Sequence, residues 1–249
     1  MNAESLIAAL NLPPEARVDR RVPKTLLVEN GAPTAADKRR INEGIEELLW
    51  LAALKPTTTG VPEYCDEVRE YLEIAVLSLA LRPEAKADRL MELIHRAIPY
   101  PVVLVAEQDD RVTLSFAHKR WSQGESGKTV LDDAITLSEL VQHTSTKAFM
   151  DSMAVALQPR THLLELYQGW IDCLDAFRAA IVTGRFIRFN SIADTISRRE
   201  ALAEYSQLMR QIAYLRTQAD RELQISRRIE VNLDIKRLMA ELDSAKDRL

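Results

Sequence analysis

The stretch "YPVVLVAEQDDRVTLSFAHKRW", residues 100–121, decides how the first part of this chain folds. Residues 100–108 form a short apolar run rich in valine, which suits a buried strand. Residues 110–121 alternate, with Val112, Leu114 and Phe116 on one face. Asp109-Asp110 between them is a tight-turn pair, so the two segments read as an antiparallel hairpin.

Other elements group around that hairpin. "EYLEIAVLSLAL" (70–81) reads as a further buried strand. "PEAKADRLMELIHRAI" (83–98) reads as a helix with Pro83 in its first turn and Leu90, Met91, Ile94 and Ile98 facing inward. "PTAADKRRINEGIEELLWLAALKP" is predicted as one helix from the N-cap Thr34 to the stop at Pro56, with Ile41, Ile45, Leu48, Leu49 and Ala52 on one face. "KTVLDDAITL" adds a candidate strand. Strand, helix, strand, strand, strand in that order implies a small α/β or α+β sheet, and the fold class expected is α+β with a small mixed sheet and packed helices.

All ten prolines lie before residue 160, and the last glycine is Gly184. The chain beyond is helical in pattern. Leu163, Tyr167, Trp170, Leu174, Phe177 and Ile181 follow heptad spacing up to Gly184. Leu202, Tyr205, Leu208, Ile212, Leu215 and Ala219 form a second seam, and Val231, Ile235, Leu238, Leu242, Ala245 and Leu249 a third. The pattern predicts an α+β domain over 1–158, then a helical hairpin and an extended coiled-coil tail over 159–249. "IEVNLDI" (229–235) alternates with period two, yet no turn signal flanks it, so it is assigned to helix.

With 33 Lys and Arg against 37 Asp and Glu, the net charge of -4 gives no global attraction to nucleic acid or anionic membrane. Residues 185–249 are mildly basic, with 13 basic and 10 acidic groups. Cys65 and Cys173 are too sparse for a disulfide framework or zinc spacing. The N-terminus lacks a basic residue before its short apolar stretch, unlike a secretory signal, and no apolar run approaches the ~20 residues that span a bilayer. A cytoplasmic protein is expected, without membrane contact.

Several motifs are weighed for chemistry. "GESGKT" (124–129) resembles the end of a phosphate-binding loop, but Ser122 stands where the first glycine is required, so a turn between strands is the expected reading and no nucleotide cofactor is implied. A metal-dependent nuclease needs an Asp followed by Glu-x-Lys. Glu84-Ala85-Lys86 lies in a helix's first turn, and Glu73 and Glu107 are the remaining acids for a divergent site. His95, His118, His143 and His162 show no metal-ligand spacing. No catalytic residue is assigned. The candidate binding site is a polar pocket of His95, Arg96, Tyr100, His118 and Arg120, suited to a phosphate or carboxylate. Weaker candidates for nucleic-acid contact are Lys119 and, in "GRFIRFN" (184–190), Arg185 and Arg188 between aromatic rings.

"RVPKTLLVENG", "DKRRINEGIEELLWLAALKP", "EYLEIAVLSLAL", "IHRAIPYPVVLV" and "SFAHKRWSQ", followed by "NLDIKRL" in a helical tail, resemble the bacterial domain of unknown function family 4391 (DUF4391) over nearly the whole chain. The resemblance brings no catalytic residues with it. It implies a context: components encoded beside DNA methyltransferases and helicases in restriction-type phage-defence islands. The expectation is a non-enzymatic accessory or adaptor subunit that meets methyltransferase or helicase partners, or a second copy of itself, through the C-terminal helix, with DNA contact possible. A divergent metal-dependent nuclease and a nucleic-acid-binding module are the alternatives.

Overall fold

The computed structural model describes residues 2–125, 127–189 and 191–249. The chain is α+β and divides into two compact units, residues 1–174 and 175–249. In the first, α1 (Ala3–Ala9) precedes β1 (Arg17–Arg21), α2 (Lys24–Gly31), α3 (Ala35–Gly44), β2 (Ile45–Leu54) and the one-turn α4 (Pro56–Thr59). Two short strands, β3 (Tyr64–Cys65) and β4 (Glu70–Tyr71), lead into β5 (Ile74–Leu81), α5 (Ala87–Ala97), β6 (Val102–Gln108) and β7 (Arg111–Ala117). Then come β8 (Lys119–Trp121), β9 (Thr129–Leu131), β10 (Thr136–Glu139), α6 (Thr146–Ser152) and α7 (Leu163–Thr183), which runs on into the second unit.

Six strands form one mixed sheet in the order β1-β2-β5-β6-β7-β10. β5 and β6 are parallel and joined through α5; the other neighbours are antiparallel. The predicted hairpin is present over 102–117, but the end of its expected second strand, 119–121, leaves this sheet as β8 and pairs with β9. Val102 pairs with Ala117 and Gln108 with Arg111, and Asp109 turns the chain at φ 53°, a left-handed conformation that Asp tolerates. One sheet face, bearing Ala75, Leu77, Leu79, Val102, Leu104 and Ala106, packs under α2, α3 and α5. The opposite face carries Phe116, against which Tyr167 of α7 stacks edge-on at 5.6 Å.

The single helix expected over 34–55 is not formed. Thr34 does cap α3, accepting from the Asp37 N–H at 3.1 Å. The helix stops at Gly44, and Ile45 turns extended into a ten-residue strand between β1 and β5. Two physical facts decide this. A side chain at Gly44 would meet Leu90 Cδ1 at 2.8 Å, so α3 ends where it crosses α5. "LLWLAAL" is apolar at every position, so helical spacing fits it as easily as a strand buried on both faces does, and tertiary pairing settles the matter. α1, β1 and α2 also lay unread in the sequence. Their stretches are short and interrupted by Pro13-Pro14 and Pro23.

In the second unit the end of α7 is followed by α8 (Ile192–Arg221) and α9 (Ile225–Lys246). Residues 229–235 are helical, as expected. The extended tail is not: the chain breaks at 222–224 and α9 folds back along α8. Ile212, Leu215 and Ala219 pack against Val231, Ile235, Leu238 and Leu242, and Arg248 reaches Glu204. The break needs neither Gly nor Pro. Glu222 is extended, and its carboxylate accepts the Gln224 N–H at 2.8 Å. The apparent slip between the second and third seams is this turn.

Candidate functional site

The five residues of the expected polar pocket do not converge. Register places Ser115 on the same sheet face as Leu104, beneath α5, and Phe116 on the face beneath α7. His95 meets Ser115, its Nε2 lying 3.0 Å from the hydroxyl. His118 stacks against Tyr167 at 5.4 Å on the opposite face. No single helix covers both residues, because the sheet has a helical layer on each side.

On the α7 face His118 sits in a chain of hydrogen bonds. The Gln168 amide donates to Asp172 at 2.7 Å, which orients its carbonyl oxygen to accept from His118 Nε2 at 2.9 Å. His118 Nδ1 is then the acceptor for the buried Tyr71 hydroxyl at 2.5 Å. Tyr167 donates to the carbonyls of Val102 and Ala117 at 2.7 and 3.2 Å and accepts the Ala117 N–H at 2.8 Å. Burial pushes both phenols well up, so they stay protonated donors. Arg120 lies nearby, its Nε 3.3 Å from Asp132, which Arg69 also holds at 2.5 Å. The arrangement clamps α7 and the 69–71 segment onto the end of β7.

On the α5 face His95 and Lys119 are enclosed. Lys119 donates to the carbonyls of His95 and Ile98, filling the free acceptors at the end of α5. It is buried, so it offers no cation to a phosphate backbone, contrary to its candidacy for nucleic-acid contact. Burial, and then Arg96, brings its pKa down to about 8. Burial, and then Lys119, brings His95 down to about 3, leaving a neutral ring.

The remaining candidates scatter. Arg96 is exposed and pairs with Glu92 at 2.7 Å. Tyr100 lies at the rim of a cleft beside β1 and α2. Arg185 and Arg188 are exposed, and the Phe189 ring carries the Arg198 guanidinium at 3.7 Å. Asn190, the last residue of that motif, lies outside the described residues. Glu73 precedes β5 and pairs with Lys55 at 3.0 Å, while Glu107 pairs with Ala80 near the far end of the same strand. Seven positions at ~3.3 Å put the two acids about 23 Å apart, too far to share a metal. Among the described residues no group of three or more His, Cys, Asp or Glu could hold a metal ion. The "GESGKT" stretch is the loop of the β8–β9 hairpin, with Trp121 opposite Thr129 and a strand, not a helix, following it. Ser126 within it lies outside the described residues.

Several of the most exposed large apolar side chains among the described residues lie on the α8–α9 hairpin, which the sequence seams did not single out. Leu223 at its turn is 94% exposed and Ile225 72%. Ile229 and Leu233 continue from Ile225 at four-residue steps, on the side of α9 away from the seam that grips α8. Tyr214 and Met239 are exposed too. A monomeric protein rarely leaves such a row in water.

Among the described residues no helix is long and apolar enough to cross a membrane. Neither a curated protein nor a solved structure matches the chain. The profile of one family matches residues 10–242, nearly the whole length. The chain therefore belongs to DUF4391, a domain-of-unknown-function family.

Proposed function

We propose that the protein is a non-enzymatic accessory or adaptor subunit of a bacterial restriction-modification-type or phage-defence system. It assembles with DNA-processing partners, a methyltransferase or helicase, through its helical hairpin. One observation carries this reading: the outward apolar row Ile225, Ile229 and Leu233, with Leu223 at the turn. Burying such side chains is favourable by roughly 25 cal/mol per Å². The restriction context comes from the family resemblance alone. The experiment is co-purification from the native host with light scattering, comparing wild type with Ile229→Ser/Leu233→Ser. The expected result is a bound methyltransferase or helicase that the variant loses at unchanged melting temperature. A variant that keeps all partners would sink the reading.

A nucleic-acid-binding module is the second reading, supported by Arg185 and Arg188, which are exposed and flank Ile187. It requires duplex binding by the isolated protein that weakens steeply with salt and falls in Arg185→Ala/Arg188→Ala.

A further inference from the structure

A second surface feature lies far in sequence from the hairpin and does not depend on its role. Between β1, α2 and the 97–100 loop is a cleft of about 380 Å³. That is the lower end of the ~300–1,000 Å³ typical of small-molecule pockets. Its floor is apolar: Leu27, Trp50, Ala75, Leu77 and Ile98. Its rim is polar and cationic, with Arg20, Arg21 and Tyr100.

The register shows how Arg20 comes to be there. Arg20 pairs with Trp50, and Trp50 with Leu77, so the three form one row across the α5 face of the sheet. The pairing of β1 shifts between Arg17 and Arg20, and Asp19 is held at φ 48° with its carboxylate 2.7 Å from Arg17. A bulge of this kind re-aims the residues after it. Among the described residues the Arg20 guanidinium has no ion pair or hydrogen bond, and neither does the Tyr100 hydroxyl. Arginines do blunt exposed sheet edges. That role needs a charge on the edge, however, and does not account for an apolar hollow directly beneath it.

We propose that this cleft binds a small amphiphilic carboxylate, with the apolar body over Trp50 and Leu77 and the carboxylate on Arg20. Tyr100 supplies a further hydrogen bond at the rim. A bidentate guanidinium–carboxylate pair suits this position, because Arg20 has no competing acid. The apolar floor excludes a purely polar anion, which would strand its hydration over Trp50.

The test is calorimetric titration of the full chain with decanoate and 4-phenylbutyrate, and with decanol as the uncharged control. The variants are Arg20→Glu, which reverses the rim charge, and Val18→Trp, which fills the mouth from a half-exposed position. Arg111→Glu, on the turn side of β7, is the charge control. Saturable binding of either carboxylate is expected, at least about tenfold tighter than decanol, with a loss of tenfold or more in both cleft variants. Arg111→Glu should bind as wild type does, and all variants should melt within a few degrees of it. Absence of saturable binding for both carboxylates overturns the proposal, as does binding that Arg20→Glu and Val18→Trp leave intact. Failure here leaves the hairpin's role untouched, since no residue is shared.

Discussion

In residues 1–174 the large side chains turn inward: Trp170, Tyr167, Tyr71 and Phe116 are fully enclosed, and even a histidine and a lysine are taken in with them. In residues 175–249 the α8–α9 pair closes on a narrow seam and leaves Ile225, Ile229 and Leu233 outside. Sheet and hairpin thus use apolar residues differently. The sheet unit encloses most of its large side chains and satisfies some of its buried polar ends itself, as the Tyr167 and Lys119 hydrogen bonds illustrate. A two-helix hairpin has no third layer, so a second apolar row on α9 has nothing in its own hairpin to cover it.

The comparison breaks most readily through pH. A folded-state pKa of about 3 for His95 means that the unfolded chain takes up a proton near pH 6.5 which the folded chain refuses. Stability from this site is therefore complete above that pH and lost as pH falls towards 3, by an upper bound on the order of 4–5 kcal/mol. Denaturant titrations at pH 7, 5 and 4 should show a shallower loss in His95→Gln than in wild type. Parallel curves would show that the sheet unit does not enclose this ring.

Phe116→Ala should cost about 3–5 kcal/mol, with a lower denaturant midpoint at unchanged slope. A cost under about 1 kcal/mol would mean that the two regions are equally loosely packed.

Lys119 gives a test at the other end of the pH scale. Its pKa of about 8 lies below the unfolded value, so the unfolded chain binds more protons between pH 8 and 10.5. Folding is therefore penalised below pH 8 and relieved as pH rises, by on the order of 3 kcal/mol. Lys119→Met should lack that upward slope in urea midpoints read from pH 7.5 to 10.

The smallest change in stability belongs to the hairpin. Ile229→Ser/Leu233→Ser should move the unfolding free energy by no more than about 0.5–1 kcal/mol while shifting the mass seen in light scattering. Equal damage to stability and assembly would mean that these side chains serve the hairpin's own packing.

Much of this division was legible in the sequence. The Asp109-Asp110 hairpin, the 163–183 helix and the helical reading of 229–235 follow from alternation, heptad spacing and missing turn signals. The strand 45–54 was not legible, because its stretch 48–54 is apolar at every position and carries no period. Nor was the return of α9, because its turn is made by a carboxylate accepting a backbone N–H, not by Gly or Pro. The expected pocket failed for a related reason. Periodicity places His118 on a face of β7, but it does not say that α5 covers one side of the sheet and α7 the other. The cleft at Arg20 escaped notice because it depends on a bulge, and on residues far apart in the chain.

The Tyr167 hydroxyl, bridging the backbones of residues 102 and 117, also sets an order of events during synthesis. Strands β1 to β10 all leave the ribosome before residue 167 does. Until then the Phe116 side of the sheet has no α7 over it, and the carbonyls of Val102 and Ala117 wait for water or a chaperone. A nascent chain stalled or cut at about residue 160 would carry all six strands of the sheet without α7 over its Phe116 face. Translation slowed just after that point would lengthen the time the sheet spends without α7.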